Sequence, residues 1–360
     1  MSAIIGIDFG TTTSKIAHLQ EGKPQPVINK KSASELTPSL VGLNENVNEL
    51  KVGRPAERLS SSVISEIKRR MGEARVIRLG DKEYQPEEIA AMIFRHLKEY
   101  GEDYLDDEIK DVVVSVPVYF NEAAVSATLR AAEIAGLNVL RIIQEPVAAA
   151  IAFGYGKDYL NRNILVYDFG GGTFNVSVVN FTKAGASVIE STEVNYLGGA
   201  IFDQRLIRLI KEHLRDEFGI TEADDNLELK IKEEAKKTKE LFSAGEIENV
   251  NVSFIAISGG KLINFKMILT KERLELLTED LVNETIITMD SMFEKGKIRK
   301  EDIDWVILAG GSTRMPLIKE RVTDYFDIPP MTDVEPDIAV SFGAAILAGI
   351  IKSGGDIAWI

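Results

Sequence analysis

The sequence IGIDFGTTTSKIA at residues 5–17 recurs in kind as LVYDFGGGTFNVSV at residues 165–178. Each copy consists of an apolar strand, an Asp-Phe-Gly, a turn rich in Gly and Thr, and a second strand of alternating pattern. The aspartates of the two copies, Asp8 and Asp168, lie 160 positions apart. A repeat at this spacing predicts two lobes of similar topology.

A second pair of similar segments supports the repeat. DVVVSVP at 111–117 and DWVILAGG at 304–311 are apolar strand patterns that end in a breaker, and a helical pattern follows each. Residues 37–110 carry mixed strand and helix signals, which is typical of an insertion. Residues 87–100 predict an amphipathic helix, and the Lys- and Glu-rich residues 226–244 predict another.

Composition places the chain among ordinary globular proteins. Of 360 residues, 45% are hydrophobic and 27% charged, and the formal net charge is −14. Because this field repels polyanions, we expect no nucleic-acid partner and no anionic membrane surface. The sequence has no cysteine, which excludes disulfides, thiolate zinc sites and a cysteine nucleophile, and its three histidines are scattered.

The N-terminus and the apolar runs bear on location. Residues 1–6 lack the charged region and the long apolar core of a signal peptide. The longest apolar run, residues 339–351, is too short to span a bilayer. Since the absence of cysteine also fits a reducing compartment, we expect a cytoplasmic protein.

The two Gly- and Thr-rich turns, each beside a strand-end aspartate, indicate phosphate and metal binding. Glycine lets backbone N–H groups approach phosphate oxygens closely, and threonine hydroxyls add donors. An aspartate at such a turn can hold Mg²⁺ directly or through its waters. One turn would be weak support, because many tight hairpins look alike, whereas two copies with matched aspartates are more specific.

Rival motifs do not fit the sequence. A P-loop needs Gly-Lys followed by Ser or Thr, and none of the Gly-Lys pairs has that follower. No His-Arg-Asp accompanies the two Asp-Phe-Gly sequences, which excludes a protein kinase. GGSTR at 310–314 lacks the last glycine of a nucleophile elbow, and GYG at 154–156 lacks the third glycine of a dinucleotide fingerprint.

Taken in order, these and further segments resemble the nucleotide-binding domain of the Hsp70 (DnaK-like) chaperones, within the actin/hexokinase ATPase superfamily. The likeness runs from about residue 4 to about residue 351. The segments that carry it are GIDFGTT (6–12), TPS (37–39), VGRPA (52–56), IKR (67–69), VPVYFN (116–121), IIQEPVAAA (142–150), DFGGGTF (168–174), LGG (197–199), GGSTR (310–314) and EPD (335–337).

The resemblance implies an α/β, two-lobed actin-like ATPase fold, in which ribonuclease H-like domains are duplicated and carry α+β insertions. Lobe I would comprise residues 1–161, with a core of 1–36 and 111–161 and an insertion at 37–110. Lobe II would comprise residues 162–334, with a core of 162–203 and 273–334 and an insertion at 204–272. Residues 335–360 would form a C-terminal helix that returns to lobe I.

The resemblance also implies roles for individual residues. Asp8 and Asp168 would hold the waters of Mg²⁺, Lys68 would orient the attacking water and offset developing charge, and Glu145 would lie near that water. Asp168 and Thr173 are counted with Lys68 and Glu145 as catalytic. The implied phosphate contacts are Gly10, Thr11, Thr12, Thr13, Gly170, Gly171, Gly172 and Thr173. The implied nucleoside contacts are Gly198, Gly199, Lys239, Glu240, Ser243, Gly310, Gly311, Ser312, Arg314 and Asp337, and the Arg314 guanidinium would stack on adenine.

The function implied is Mg²⁺-dependent binding of ATP and ADP with slow ATP hydrolysis, in which the γ-phosphate favours closed lobes. K⁺ is a further candidate ion. A J-domain co-chaperone and a nucleotide exchange factor are the implied partners, while the C-terminal substrate-binding domain is absent from this sequence. Two alternatives stay open, namely a nucleotide-sensing module without useful turnover, and a reactivase or small-molecule kinase of the same superfamily.

Five positions bear on how closely the chain follows the family. Asn175 replaces an Asp, which predicts slower hydrolysis or altered ion dependence. Lys236 replaces a Glu directed toward the ribose, and Glu240 replaces a basic residue beside adenine, so both affect the expected nucleoside affinity. Val125 replaces an Arg that helps couple the nucleotide domain to the substrate domain, whereas Arg141 matches a residue used for J-domain docking.

Without the resemblance, plainer interpretations also fit. Lys68 lies in a basic cluster that is typical of solvated surface. Asp8 and Asp168 are compatible with turn capping, and Glu145 before Pro146 is compatible with a helix start. For the apolar tail at 356–360, docking and fraying are both compatible with the sequence.

Overall fold

The computed structural model describes residues 3–59, 61–157, 160–183, 185–244 and 247–354. The strands are β1 (Ala3–Asp8), β2 (Thr13–Gln20), β3 (Lys23–Pro26), β4 (Thr37–Pro38), β5 (Val41–Asn44), β6 (Glu49–Val52), β7 (Val63–Ile64), β8 (Ile77–Leu79), β9 (Lys82–Tyr84), β10 (Ile109–Val116), β11 (Asn138–Gln144), β12 (Asn163–Phe169), β13 (Thr173–Thr182), β14 (Gly185–Asn195), β15 (Asn249–Ser258), β16 (Lys261–Thr270) and β17 (Trp305–Ala309). The α-helices are α1 (Arg54–Glu57), α2 (Pro86–Leu105), α3 (Glu122–Ile134), α4 (Glu145–Gly154), α5 (Gly199–Phe218), α6 (Asp225–Ser243), α7 (Lys271–Gly296), α8 (Pro316–Phe326) and α9 (Ala339–Lys352).

Two large sheets share one topology. The first has the order β3-β2-β1-β10-β11, and the second has the order β14-β13-β12-β17. In each sheet three consecutive strands are antiparallel neighbours, and the next strand pairs parallel with the first of them. The two repeated segments of the sequence are therefore the equivalent hairpins β1–β2 and β12–β13.

Both predicted helices are confirmed: the first extends beyond its predicted ends, and the second is shifted by one residue toward the N-terminus. The helix expected at 87–100 is α2, and its first turn is fixed by Pro86 and by the Glu88 carboxylate, which accepts a hydrogen bond from the Gln85 N–H at 2.7 Å. The helix expected at 226–244 is α6. Its N-cap is Asp224, whose Oδ1 accepts from the Leu227 N–H at 2.9 Å.

Smaller elements fill the predicted insertions. The segment 37–110 contains the sheet β6-β5-β7, the pair β8–β9 and helix α2. The segment 204–272 contains α6 and the hairpin β15–β16. These elements agree with the expected mixed strand and helix content, while the bounds of the two lobes stay a prediction.

The C-terminal helix α9 joins the core of the molecule. It packs against β1 and β2 of the first sheet and against α4, and most of its first ten residues are buried. Close packing is possible because Gly343 lies against the backbone of Ala148. The tail at 356–360 lies outside the described residues. Within the described ranges, no helix is both long and apolar enough to cross a membrane.

Candidate functional site

A cavity of about 520 Å³ lies where the two repeated hairpins meet. The turn at 10–13 and the turn at 170–173 both line it. They come so close that a Cβ added to Gly171 would lie 2.7 Å from the Thr12 Oγ1. The predicted residues along its wall are Asp8, Gly10, Thr11, Thr12, Thr13, Lys68, Glu145, Asp168, Gly170, Gly171, Gly172, Thr173, Gly199, Lys239, Glu240, Ser243, Gly310, Gly311, Ser312, Arg314 and Asp337.

The first turn is supported by a residue for which the sequence suggested no role. The Ser39 hydroxyl donates to the Gly10 carbonyl at 2.8 Å, and the Ser39 N–H donates to the Thr12 carbonyl at 2.8 Å. Gly10 has no room for a side chain, because an added Cβ would lie 2.1 Å from the Thr13 carbonyl oxygen. The TPS segment at 37–39 therefore fixes the shape of the turn.

The second turn is held from two directions. The Ser312 hydroxyl donates to the Gly170 carbonyl at 2.8 Å, and the Gly199 N–H donates to the same oxygen at 3.1 Å. Because α5 begins at Gly199, the positive end of a helix dipole lies at this turn, which favours an anion. Gly198 packs directly on the turn, where an added Cβ would lie 2.7 Å from the Gly171 carbonyl oxygen. It is the one predicted contact that does not line the cavity.

Lys68 and Glu145 form a buried ion pair in the cavity. Their side chains are only 5% and 11% exposed, so the solvated-surface interpretation of Lys68 is wrong. Burial raises the pKa of the Glu145 carboxyl, and the positive charge of Lys68 opposes that rise. Glu145 is also the first residue of α4 and precedes Pro146, so a helix start and a place in the site are compatible.

The two aspartates end equivalent strands but have different partners. Asp8 forms an ion pair with Lys15, whose Nζ lies 3.1 Å from the Asp8 Oδ2. Burial raises the pKa of Asp168 to about 7, with further contributions from the negative charges of Glu145 and Asp8. For Lys15, burial lowers the pKa, but the carboxylates of Asp8, Asp337 and Asp168 outweigh it and the pKa is raised.

Sequence reasoning missed Lys15. It lines the cavity and is the direct cross-strand partner of Asp8, as Asn175 is of Asp168. The available signal was positional, because both residues follow their aspartate by the same number of positions.

The carboxylates of Asp8 and Asp168 fit a metal ion that is also bound by phosphate. Across the described ranges, no group of three or more His, Cys, Asp or Glu side chains is arranged to hold a metal ion. Asp8 and Asp168 offer hard oxygen ligands at the two phosphate-type turns, which suits a Mg²⁺ whose remaining ligands are waters and phosphate oxygens.

Ion pairs hold two of the predicted nucleoside contacts, Arg314 and Lys239. The Arg314 Nε lies 2.7 Å from the Asp337 Oδ2, and its Nη2 lies 2.6 Å from the Glu335 Oε2. The Lys239 Nζ lies 2.7 Å from the Asp203 Oδ1. These pairs hold the guanidinium and the ammonium in fixed places at the predicted nucleoside end.

The remaining predicted positions at this end are less constrained. The Ser243 hydroxyl donates to the Lys239 carbonyl at 2.9 Å, while Glu240 is exposed. Lys236, one of the departures from the family, lies 3.6 Å from Glu57 on the opposite side of the cavity.

Arg69 connects the two sides of the cleft. Its Nη2 donates to the Gly172 carbonyl at 3.0 Å, and its guanidinium lies 4.7 Å from the centre of the Tyr196 ring. Away from the cavity, Val125 is half-buried in α3 and Arg141 is exposed on β11.

Comparison with known proteins agrees with this geometry. A family model described as "Hsp70 protein" matches residues 4–77 and 74–358. The chain is 40% identical over 354 residues to the chaperone protein DnaK of Thermotoga neapolitana, of Thermotoga petrophila and of Thermotoga maritima. Each alignment covers 97% of this chain and 59% of the relative, so the chain spans about three fifths of the length of these proteins.

The chain therefore belongs to the Hsp70 family, and its fold is the two-lobed actin-like ATPase fold of that family.

Proposed function

We propose that the chain binds ATP together with Mg²⁺ in this cavity and hydrolyses it slowly to ADP and phosphate, as the nucleotide-binding part of an Hsp70-like chaperone. One observation carries the proposal: two equivalent Asp-Phe-Gly hairpins face each other across a cavity that also holds the buried Lys68–Glu145 pair. Family membership supports the same conclusion.

The phosphates would lie between the two turns. The backbone N–H groups and hydroxyls of 10–13 would bind them from lobe I, and those of 170–173 from lobe II. Asp8 and Asp168 would hold the waters of Mg²⁺, which when bound offsets phosphate charge. The nucleoside would extend toward the remaining predicted contacts, which are Gly198, Gly199, Lys239, Glu240, Ser243, Gly310, Gly311, Ser312, Arg314 and Asp337.

In this proposal Lys68 and Glu145 promote hydrolysis. Attack of water on the γ-phosphorus breaks the bond to the oxygen that bridges the β- and γ-phosphates, and it produces ADP and inorganic phosphate. The Lys68 ammonium would orient that water and stabilise the negative charge that develops in the transition state. Glu145, whose pKa is raised by burial, would accept a hydrogen bond from the water and favour its loss of a proton.

Lobe closure would couple this site to the rest of a longer protein. A γ-phosphate bound by both turns favours the closed arrangement, because each lobe supplies contacts that the open arrangement lacks. A J-domain co-chaperone near Arg141 and a nucleotide exchange factor are proposed partners, and K⁺ is a proposed further ion. We also propose the lobe division at 1–161, 162–334 and 335–360, and a cytoplasmic location.

Single-turnover hydrolysis tests the proposal. With protein in excess over labelled ATP and Mg²⁺ present, we expect Lys68→Ala to slow hydrolysis by about a hundredfold while ATP binding persists, because one charge-stabilising donor is lost. Arg70→Ala is the matched control. Arg70 is a neighbouring basic residue that pairs with Glu73, outside the cavity, and its replacement should leave the rate unchanged.

The same experiment separates the alternatives. If the unmodified chain binds ATP but hydrolyses it no faster than Lys68→Ala, the chain is a nucleotide-sensing module and the ATPase proposal fails. Transfer of labelled phosphate to an added acceptor would instead favour a small-molecule kinase.

A further inference from the structure

The two repeated hairpins differ at the residue opposite each aspartate. Lys15 is the strand partner of Asp8, and Asn175 is the strand partner of Asp168. Directly opposed residues of an antiparallel pair have side chains on the same face of the sheet. The repeat therefore presents one position twice, and this chain fills it with a cation in the first hairpin and with a neutral amide in the second.

This difference changes the charge at the two aspartates. The Lys15 Nζ lies 3.1 Å from the Asp8 Oδ2, and the two side chains are only 12% and 7% exposed. The Asn175 Nδ2 instead donates to the Thr173 Oγ1 at 3.3 Å. Among the ion pairs of the described residues, none includes Asp168. Asp8 is thus neutralised by the protein, whereas Asp168 is not.

The lysine at Asp8 affects nucleotide binding in two ways. A cation that already occupies Asp8 competes with Mg²⁺ for that carboxylate. Lys15 also lines the cavity next to the phosphate turn at 10–13, where a fixed positive charge attracts phosphate oxygens directly.

We propose that Lys15 is a specificity-determining residue of the nucleotide site, a built-in cation that neutralises Asp8 and supplies positive charge to the phosphates. It makes nucleotide binding less dependent on Mg²⁺ than it would be with a neutral residue at position 15. This inference rests on the proposed function.

Titration calorimetry with ADP tests it. The dissociation constant is measured in excess Mg²⁺ and again in EDTA, and the ratio of the second value to the first reports the dependence on Mg²⁺. We expect this ratio to rise about tenfold in Lys15→Met. Without Mg²⁺, the unmodified chain keeps the charge-assisted contact between Lys15 and the phosphates, whereas the variant lacks it. Methionine keeps the length and the apolar stem of the side chain.

Two further variants isolate the charge. Lys15→Arg retains the charge and should keep the ratio within about threefold of the unmodified value. Lys236→Met removes a lysine from the same cavity, but that lysine pairs with Glu57 rather than with Asp8, so its ratio should also stay within about threefold.

The possible results are distinct. A rise of less than about threefold in Lys15→Met, or an equal rise in Lys236→Met, would overturn the role of Lys15 while leaving the proposed function intact. No ADP binding by the unmodified chain in Mg²⁺ would overturn the proposed function and this inference with it.

If Lys15→Met does not fold by circular dichroism, a crystal structure of the unmodified chain with ADP and EDTA decides. Lys15 Nζ within hydrogen-bond distance of a phosphate oxygen supports the proposal, and a greater separation overturns it.

Discussion

The raised pKa of the Asp168 carboxyl sets a pH dependence for stability. In the folded chain the pKa of this carboxyl is about 7, whereas its ordinary value is 3.8. Its contribution to stability therefore falls as the pH rises between those values, because the native state binds the proton that the unfolded state releases. Above pH 7 the folded, nucleotide-free protein bears the cost of the buried charge.

Asp168→Asn should remove that cost. In the absence of nucleotide we expect it to raise the free energy of unfolding by about 1–2 kcal/mol at pH 8, a value reduced because Asp168 is only half-buried, and by about half as much at pH 5.5, because the cost grows with pH between the two pKa values. Urea denaturation at the two pH values measures the effect. Asp8→Asn is the matched control and should lower stability, since it leaves the buried Lys15 without its partner. A loss of stability in Asp168→Asn at pH 8 would contradict the argument.

Individual residues also show which parts of the site could be predicted from the sequence. The predicted phosphate contacts line the cavity, and the sequence could indicate them because the turn of Gly and Thr after a strand-end Asp occurs twice. Lys15 and Ser39 could not be assigned, because their roles depend on contacts across the sheet and between distant segments. The burial of Lys68 could not be predicted either. Three consecutive basic residues are typical of solvated surface, and only the fold brings Glu145 next to Lys68.

At the scale of elements, strand pattern and helix period identified the hairpins and the long helices. The pattern could not give the pairing of β10 with β1 or of β17 with β12, because parallel pairing joins segments that lie far apart in the chain. The pattern also could not show that α9 packs on α4. An apolar pattern predicts that a helix is buried, but it does not identify the element against which the helix packs.

The contact between α9 and α4 gives a second prediction. A Cβ on Gly343 would lie 1.7 Å from the Ala148 carbonyl oxygen, and neither backbone can move without displacing its helix. We expect Gly343→Ala to lower the free energy of unfolding by about 3 kcal/mol or more. The midpoint of urea denaturation measures the loss.

Gly349→Ala is the control from the same helix. The three atoms nearest to its added Cβ all belong to the Leu19 side chain, namely Cδ2 at 2.3 Å, Cβ at 3.2 Å and Cγ at 3.3 Å. The closest of them, Cδ2, can rotate away, and alanine favours the helix. Its effect should stay within about 1 kcal/mol of zero. Equal losses of stability in Gly343→Ala and Gly349→Ala would show that the close packing at Gly343 does not stabilise the contact between α9 and α4.

At the scale of the whole molecule, Arg69 makes a polar contact between the two sides of the cleft. Arg69 belongs to the 3₁₀ turn Ile67–Arg70, in the proposed lobe I, whereas its partners Gly172 and Tyr196 lie in the proposed lobe II. In the proposed function the nucleotide lies between the turns at 10–13 and 170–173, so we expect the strength of this contact to help set the rate of its release.

Arg69→Met should therefore speed nucleotide release. A hydrogen bond from a charged donor contributes about 1.5–3 kcal/mol, so its loss predicts a dissociation rate about tenfold to a hundredfold higher for labelled ADP, measured by stopped-flow fluorescence. Arg70→Met removes the neighbouring charge, which pairs with Glu73 inside the same segment, and should leave the rate unchanged. Equal acceleration in both variants would indicate a general charge effect, and no acceleration in Arg69→Met would show that other contacts hold the cleft closed.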